Sequence, residues 1–147
     1  MRAARRPGTV AVAVLVAGTL ASCAHAPKGA ADQTLSLLEG QSAGLTRGGR
    51  LQFANVVNDS RCPKNVTCIW AGTATVLLKL IPEDGDTVNV LAVLTGGVAK
   101  DDVANQIAID TLGTSLTLTE LEPYPVAGTS GGERKRALIR VGATKSN

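Results

Sequence analysis

The stretch Asn58–Leu80, NDSRCPKNVTCIWAGTATVLLKL, decides the fold. It holds two of the three cysteines and the only tryptophan, and it ends in the longest strand-like run of the chain. Every second residue from Cys68 to Leu80 is apolar or small, and a period of two over such a length is typical of a strand with one buried face. The stretch therefore predicts a short closed loop that leads into a central strand, with Trp70 on its buried face.

Short strand-like runs separated by turn residues lie on both sides of this stretch. The turn signal at 82–86 predicts an antiparallel hairpin, a slip in alternation between Leu118 and Leu121 predicts a β-bulge, and Pro123 ends the strand that follows. About seven short strands and no long amphipathic helix predict an all-β domain: an antiparallel Ig-like β-sandwich, with a small barrel as the alternative. The predicted strands are 34–37, 51–57, 68–81, 87–94, 106–109, 115–121 and 136–141.

The amino-terminal residues predict export and lipidation. Three arginines in the first six residues precede about a dozen apolar or small residues, a pattern typical of a secretory signal. The signal ends in the residues LASC at 20–23, which resemble the lipobox of bacterial lipoproteins, where cleavage occurs just before the lipidated cysteine. The sequence therefore predicts a signal peptide over 1–22, lipid attachment at Cys23 with a flexible tether over 23–33, and one folded domain over 34–147.

Lipidation predicts a location in the bacterial cell envelope, on the outer membrane if the organism has one, because Ala24 rather than aspartate follows Cys23. Cleavage removes three of the 15 basic residues and so leaves 12 against 12 acidic residues. A mature chain of neutral formal charge does not predict a nucleic-acid partner. The lipid on Cys23 makes the membrane itself the first predicted partner.

The remaining cysteines predict a crosslink rather than a reactive site. Once Cys23 carries lipid, Cys62 and Cys68 form a single pair in an oxidising compartment, so a disulfide is expected. A zinc site would need two further ligands. The single histidine, His25, lies in the tether, so the domain lacks the base of the common nucleophilic hydrolases. No metal ion and no cofactor are predicted.

These observations predict a binding or interaction module, not an enzyme, with an envelope protein as its partner. The candidate contact residues are polar groups on the loop that the crosslink holds still: Asp59, Arg61, Lys64 and Asn65. One alternative is a protease or enzyme inhibitor that presents the loop between Cys62 and Cys68 to a cleft. Another is a hydrolase that uses a pair of carboxylates.

A family resemblance accompanies this interpretation. The residues DSRCP at 59–63 and CIWAG at 68–72 resemble the signature of a group of small uncharacterised bacterial secreted proteins and lipoproteins. Leu118, Leu121 and the residues PYP at 123–125 resemble the closing pattern of the same group. The resemblance covers most of the mature domain and implies a similar compartment and fold, but it implies no activity.

Overall fold

The computed structural model of the chain describes residues 32–96, 107–129 and 132–144. No helix within these residues is long and apolar enough to cross a membrane. The described residues form eight β-strands: β1 (Gln33–Leu38), β2 (Ser42–Gly44), β3 (Arg50–Asp59), β4 (Thr73–Ile81), β5 (Val88–Thr95), β6 (Ala108–Thr111), β7 (Thr114–Glu122) and β8 (Arg136–Ala143).

The strands form two antiparallel sheets that pack face to face. One sheet has the order β1-β8-β7-β6 and the other has the order β2-β3-β4-β5, with no strand pairing between the two sheets in the described parts of the chain. The largest fully buried side chains come from both inner faces: Leu51, Phe53, Val76 and Leu78 from one sheet, and Leu116, Leu118, Leu121 and Ile139 from the other. The predicted sandwich is therefore confirmed, and the barrel alternative is wrong.

The local predictions with the strongest patterns are confirmed. β4 and β5 form an antiparallel hairpin across the predicted turn, and β4 buries every second residue from Ala74 to Leu80. The register of β7 against β8 shifts between Leu118 and Glu120, which is the predicted bulge. β7 ends at Glu122, directly before Pro123, because proline has no N–H for the ladder.

Other boundaries differ from the prediction. β4 begins at Thr73 rather than at Cys68, because Gly72 has a φ of +70° that extended backbone does not adopt. β6 extends to Thr111, beyond the predicted strand end at position 109, and the turn that follows is Leu112-Gly113, where both φ angles are positive. β2 adds an eighth strand. The segment 99–104, whose sequence predicts a helical turn or a loop, lies outside the described residues.

The sandwich has two distinct ends. The Gln33 side chain donates a hydrogen bond to the Gly44 carbonyl (3.1 Å) and accepts one from the Thr46 N–H (3.0 Å), which places the start of β1 beside the turn that precedes β3. The residues between β3 and β4 lie at the far end of β3, whose ten residues span about 30 Å. We call these ends the tether end and the loop end.

Candidate functional site

The loop end is built around residues 60–72, here called the disulfide loop. Cys62 and Cys68 are joined in a disulfide with a Cα–Cα distance of 5.9 Å, which confirms the predicted crosslink. Closing this short loop stabilises the fold by about 2 kcal/mol in the chain-entropy account. Behind the crosslink, the Ser60 N–H donates to the Thr73 carbonyl (2.8 Å) and the Cys62 N–H donates to the Ala71 carbonyl (3.0 Å). The base of the loop thus continues the pairing of β3 with β4.

Arg61 was expected on the exposed rim of the loop, but it is buried, with 4% of its surface accessible. Its Nε and Nη2 donate to the two carboxylate oxygens of Asp59 at 2.7 and 2.8 Å, and its Nη1 donates to the Leu121 carbonyl at 2.8 Å. The guanidinium also stacks on the Tyr124 ring at 4.4 Å from the centroid. Arg61 therefore joins the disulfide loop to β7 in the opposite sheet and is not available to a partner.

Asp59 is the partly buried partner of Arg61 in this ion pair, with 13% of its side chain accessible. Its Oδ2 also lies 3.4 Å from Lys135 Nζ, which donates to the Pro123 carbonyl at 2.6 Å. Burial alone would raise the pKa of Asp59, but the hydrogen bonds and positive charge of Arg61, with the charge of Lys135, hold that pKa below its ordinary value. The arrangement keeps Asp59 ionised and positions Arg61, so both predicted contact residues are engaged within the fold.

Lys64 and Asn65 are exposed, as their proposed contact role requires, but they also hold the loop in place. The Lys64 N–H donates to the Pro125 carbonyl at 3.0 Å. The Asn65 side chain accepts from the Ala127 N–H at 2.7 Å and donates to the Ala127 carbonyl at 3.1 Å. Lys64 Nζ lies 5.3 Å from the Tyr124 ring centroid. The disulfide loop is thus fixed against residues 123–127 as well as by its crosslink.

Trp70 was expected in the core, and this prediction is wrong. Trp70 is 80% exposed and its neighbour Ile69 is 91% exposed, while Val66 on the same loop is 46% exposed. The alternation that placed Trp70 inside holds only after Gly72, whose positive φ breaks the strand register. We call Val66, Ile69 and Trp70 the apolar tip. Gly72 was the sequence signal that could have revealed it, because a glycine that precedes an alternating run often marks a turn.

The tether end of the sandwich carries a cleft. It has a volume of about 300 Å³ and is lined by Leu45, Leu80, Pro82 and Leu112 with Arg47 and Glu83 among its polar residues. Glu83 is the one carboxylate in its lining, whereas a carboxylate-based glycosidase needs two. Within residues 32–96, 107–129 and 132–144, no group of three or more histidine, cysteine, aspartate or glutamate side chains could hold a metal ion.

Among the described residues, the apolar tip contains the two most exposed large apolar side chains, Ile69 and Trp70. It carries the single tryptophan of the chain, on a loop that a crosslink and the opposite sheet hold in position. Comparison of the chain with models of protein families, with curated proteins and with solved structures finds no match.

Proposed function

We propose that the chain is a lipid-anchored protein of the bacterial envelope that binds a protein partner through the apolar tip. The observation that carries this proposal is the exposure of Trp70 and Ile69, at 80% and 91%. Tryptophan is a highly buried residue type on average and is enriched among the residues that dominate the energy of protein interfaces. Exposed tryptophan and isoleucine on adjacent positions are therefore most simply explained by a partner that covers them.

The rigidity of the loop supports the same function. Burial of a large apolar side chain in a partner contributes about 1.5–3 kcal/mol, but ordering a flexible loop can cancel this gain. Here the disulfide, the Arg61 bond to β7 and the two bonds of Asn65 to Ala127 already order the backbone before a partner arrives. Little additional entropy is lost on binding, and the contribution of the tip is retained as affinity.

The position of the tip favours a protein over a lipid surface. The tether joins β1 at the tether end, about 30 Å of strand length from the tip. The nine residues 24–32, which are the part of the predicted tether between Cys23 and β1, would have a root-mean-square span of about 15–18 Å as a flexible chain. A domain held by Cys23 therefore keeps its apolar tip away from its own bilayer in most conformations. In that position a protein partner can reach the tip.

The shape of the tip favours a pocket in the partner over a protease cleft. The chain bends at Ile69 and Trp70 instead of running straight. An inhibitor segment that lies along a cleft would be extended, whereas two bulky side chains at a bend form a knob. Of the two binding functions, interaction module and enzyme inhibitor, the module is the better supported.

Site-specific photocrosslinking in cells tests the proposed contact. With a photoreactive phenylalanine at position 70, we expect one defined protein adduct, which mass spectrometry identifies, because the tip lies inside the partner. Adding Ile69→Ser to the same chain should reduce the adduct about tenfold or more, since it removes about 1.5–3 kcal/mol of apolar burial. Both positions are exposed, so the substitutions should leave folding stability within about 0.5 kcal/mol.

Leu112 provides a matched control because it is also apolar and 62% exposed, but lies at the tether end. A photoreactive residue at position 112 should not yield the adduct. Equal adducts from both positions would mean that exposure alone, and not a specific surface, governs the reaction. Adducts with lipid alone from position 70 would replace the protein partner with the membrane and contradict the proposal.

The anchor has its own test. Changing Cys23→Ser removes the lipid attachment point, so the chain should move from the detergent-extracted membrane fraction to the soluble fraction after cell disruption. Changing Cys68→Ser serves as the control, because it removes a different cysteine and should leave the chain in the membrane fraction. Membrane association that survives Cys23→Ser would contradict lipid anchoring.

A further inference from the structure

Strand β5 forms an open edge of its sheet. It pairs with β4 over eight consecutive positions, from Val88 opposite Leu80 to Thr95 opposite Thr73, with no shift in register. In the described parts of the chain, no strand pairs with its other side. An edge of this kind presents a row of backbone N–H and C=O groups that can pair with another strand.

β5 also lacks the features by which proteins usually protect such an edge. Its sequence, VNVLAVLT, contains no charged residue and no proline, and its pairing contains no bulge. The other three edge strands differ. β2 has three residues, β6 has four and includes Asp110, and the Leu38 N–H of β1 is occupied by the Gln41 side chain. Among the four edges, β5 is the longest, and it is uncharged and pairs without a shift in register, which is the pattern that permits edge-to-edge pairing.

The middle of the outward face of β5 is apolar as well, between the polar residues Asn89 and Thr95. Leu91 is 55% exposed, and Val93 lies two residues further along the same face. Leu91 is paired with Leu77, so the apolar surface continues onto β4. The outer face of an antiparallel sheet usually carries polar residues where it is in contact with water. A second strand beside β5 would cover part of this surface.

We propose that two copies of the chain pair through β5, antiparallel and centred on Ala92, to form one continuous eight-stranded sheet. The partner strand belongs to a second copy of the chain, because β5 complements itself. In this register Leu91 faces Val93, Val90 faces Leu94, and Asn89 faces Thr95, so apolar residues meet apolar ones and polar residues meet polar ones. A shift of the register by two residues would keep every side chain on its face, but it would place the polar Asn89 opposite the apolar Val93, or the apolar Leu91 opposite the polar Thr95. The absence of charge means that self-pairing brings no like charges together.

The dimer is compatible with the proposed anchor and tip. Antiparallel pairing places the tether end of one copy beside the loop end of the other copy at both ends of the dimer. The β3–β4 loop of one copy is five to six strand spacings, or about 24–29 Å, from the β2 edge of the other, beside which β1 begins. Each tip therefore remains free, and one dimer presents two tips that face in opposite directions.

A pair of double variants tests this interface on residues 24–147, which contain every described strand. Leu91→Lys with Val93→Lys places like charges opposite each other twice across the two-fold axis. Leu91→Lys with Val93→Glu places opposite charges there, with the same positions altered. In sedimentation equilibrium from micromolar to millimolar protein, we expect wild type to dimerise. The Lys/Lys variant should dimerise at least about tenfold more weakly than the Lys/Glu variant.

Circular dichroism checks that both variants retain the strand signal. If either variant is unfolded, a second pair at the ends of the same register replaces them: Asn89→Lys with Thr95→Lys, compared with Asn89→Lys with Thr95→Glu. Wild type that stays monomeric throughout the range would overturn the proposal. So would equal dimerisation of the two double variants. A third outcome would also overturn it: dimerisation that is lost in Trp70→Ser but is unchanged in the β5 variants would show that two copies contact each other through the apolar tip. The outcome is independent of whether the photocrosslinking experiment finds a protein partner.

Discussion

Replacing Arg61 with methionine should lower the free energy of unfolding by about 3 kcal/mol. Methionine is of similar length and apolar, so it fills much of the volume. It leaves the Asp59 carboxylate with Lys135 and the backbone N–H of residue 61, and it leaves the Leu121 carbonyl without the Arg61 donor. Removing one member of a buried, hydrogen-bonded charge pair is costly for this reason. Urea unfolding followed by far-ultraviolet circular dichroism, which reports the strands, measures the difference.

Arg50→Met is the matched control, because Arg50 is exposed and donates to the Ser42 hydroxyl at 2.9 Å. Its loss should cost less than about 0.5 kcal/mol.

Asp59→Asn adds a pH test. The pKa of Asp59 is lower in the folded chain than its ordinary value of 3.8, so its ionisation contributes stability that is present above pH 3.8 and is lost as the pH falls through the folded pKa. The stability difference between wild type and Asp59→Asn should therefore narrow below pH 3.8. An Arg61→Met variant as stable as Arg50→Met would contradict the buried pair.

Replacing Gly72 with alanine should also cost about 3 kcal/mol. The φ of Gly72 is +70°, a conformation that costs an alanine about 1–2 kcal/mol. In addition, the new Cβ would overlap the carbonyl oxygen of Ser60, which lies on the facing side of the loop base. Backbone cannot move aside as a flexible side chain can, so the overlap adds about 1–3 kcal/mol. Thermal unfolding by circular dichroism should show a lower midpoint temperature.

Gly128→Ala separates the two contributions. Gly128 has a φ of +87°, but nothing lies within 4 Å of the position that a Cβ would take. Its replacement should cost only the conformational part, about 1–2 kcal/mol. If both alanine variants lost the same stability, the contact between the loop base and Ser60 would contribute nothing, and the loop would be less tightly closed than its geometry indicates.

Much of the fold could be predicted because its signals are local. Alternation from Ala74 to Leu80 marks β4, the turn residues at 82–86 set the hairpin, and the slip after Leu118 marks the bulge. The disulfide followed from counting, since lipidation of Cys23 would leave a single pair. Each of these signals depends on neighbouring residues or on the compartment, and both can be read from a single sequence.

The site was predicted less well because its residues depend on the opposite sheet. Arg61 looks like a surface residue in a polar loop, and its burial arises from Leu121 and Tyr124, which lie about 60 positions further along the chain. Trp70 looked buried because the alternation of β4 was extended backwards through Gly72. Only the sheet arrangement reveals where the strand stops and which side of the loop the second sheet covers.

The exposed position of Trp70 determines what the intrinsic fluorescence of this chain can report. The one tryptophan is already 80% exposed in the folded state, while Phe53 is the aromatic side chain buried in the core. Indole emission should therefore change little when the sandwich unfolds, and a fluorescence melt would understate the transition. The same property makes Trp70 a sensitive optical probe of the loop end, with a blue shift when a partner covers it and no change when two copies pair through β5.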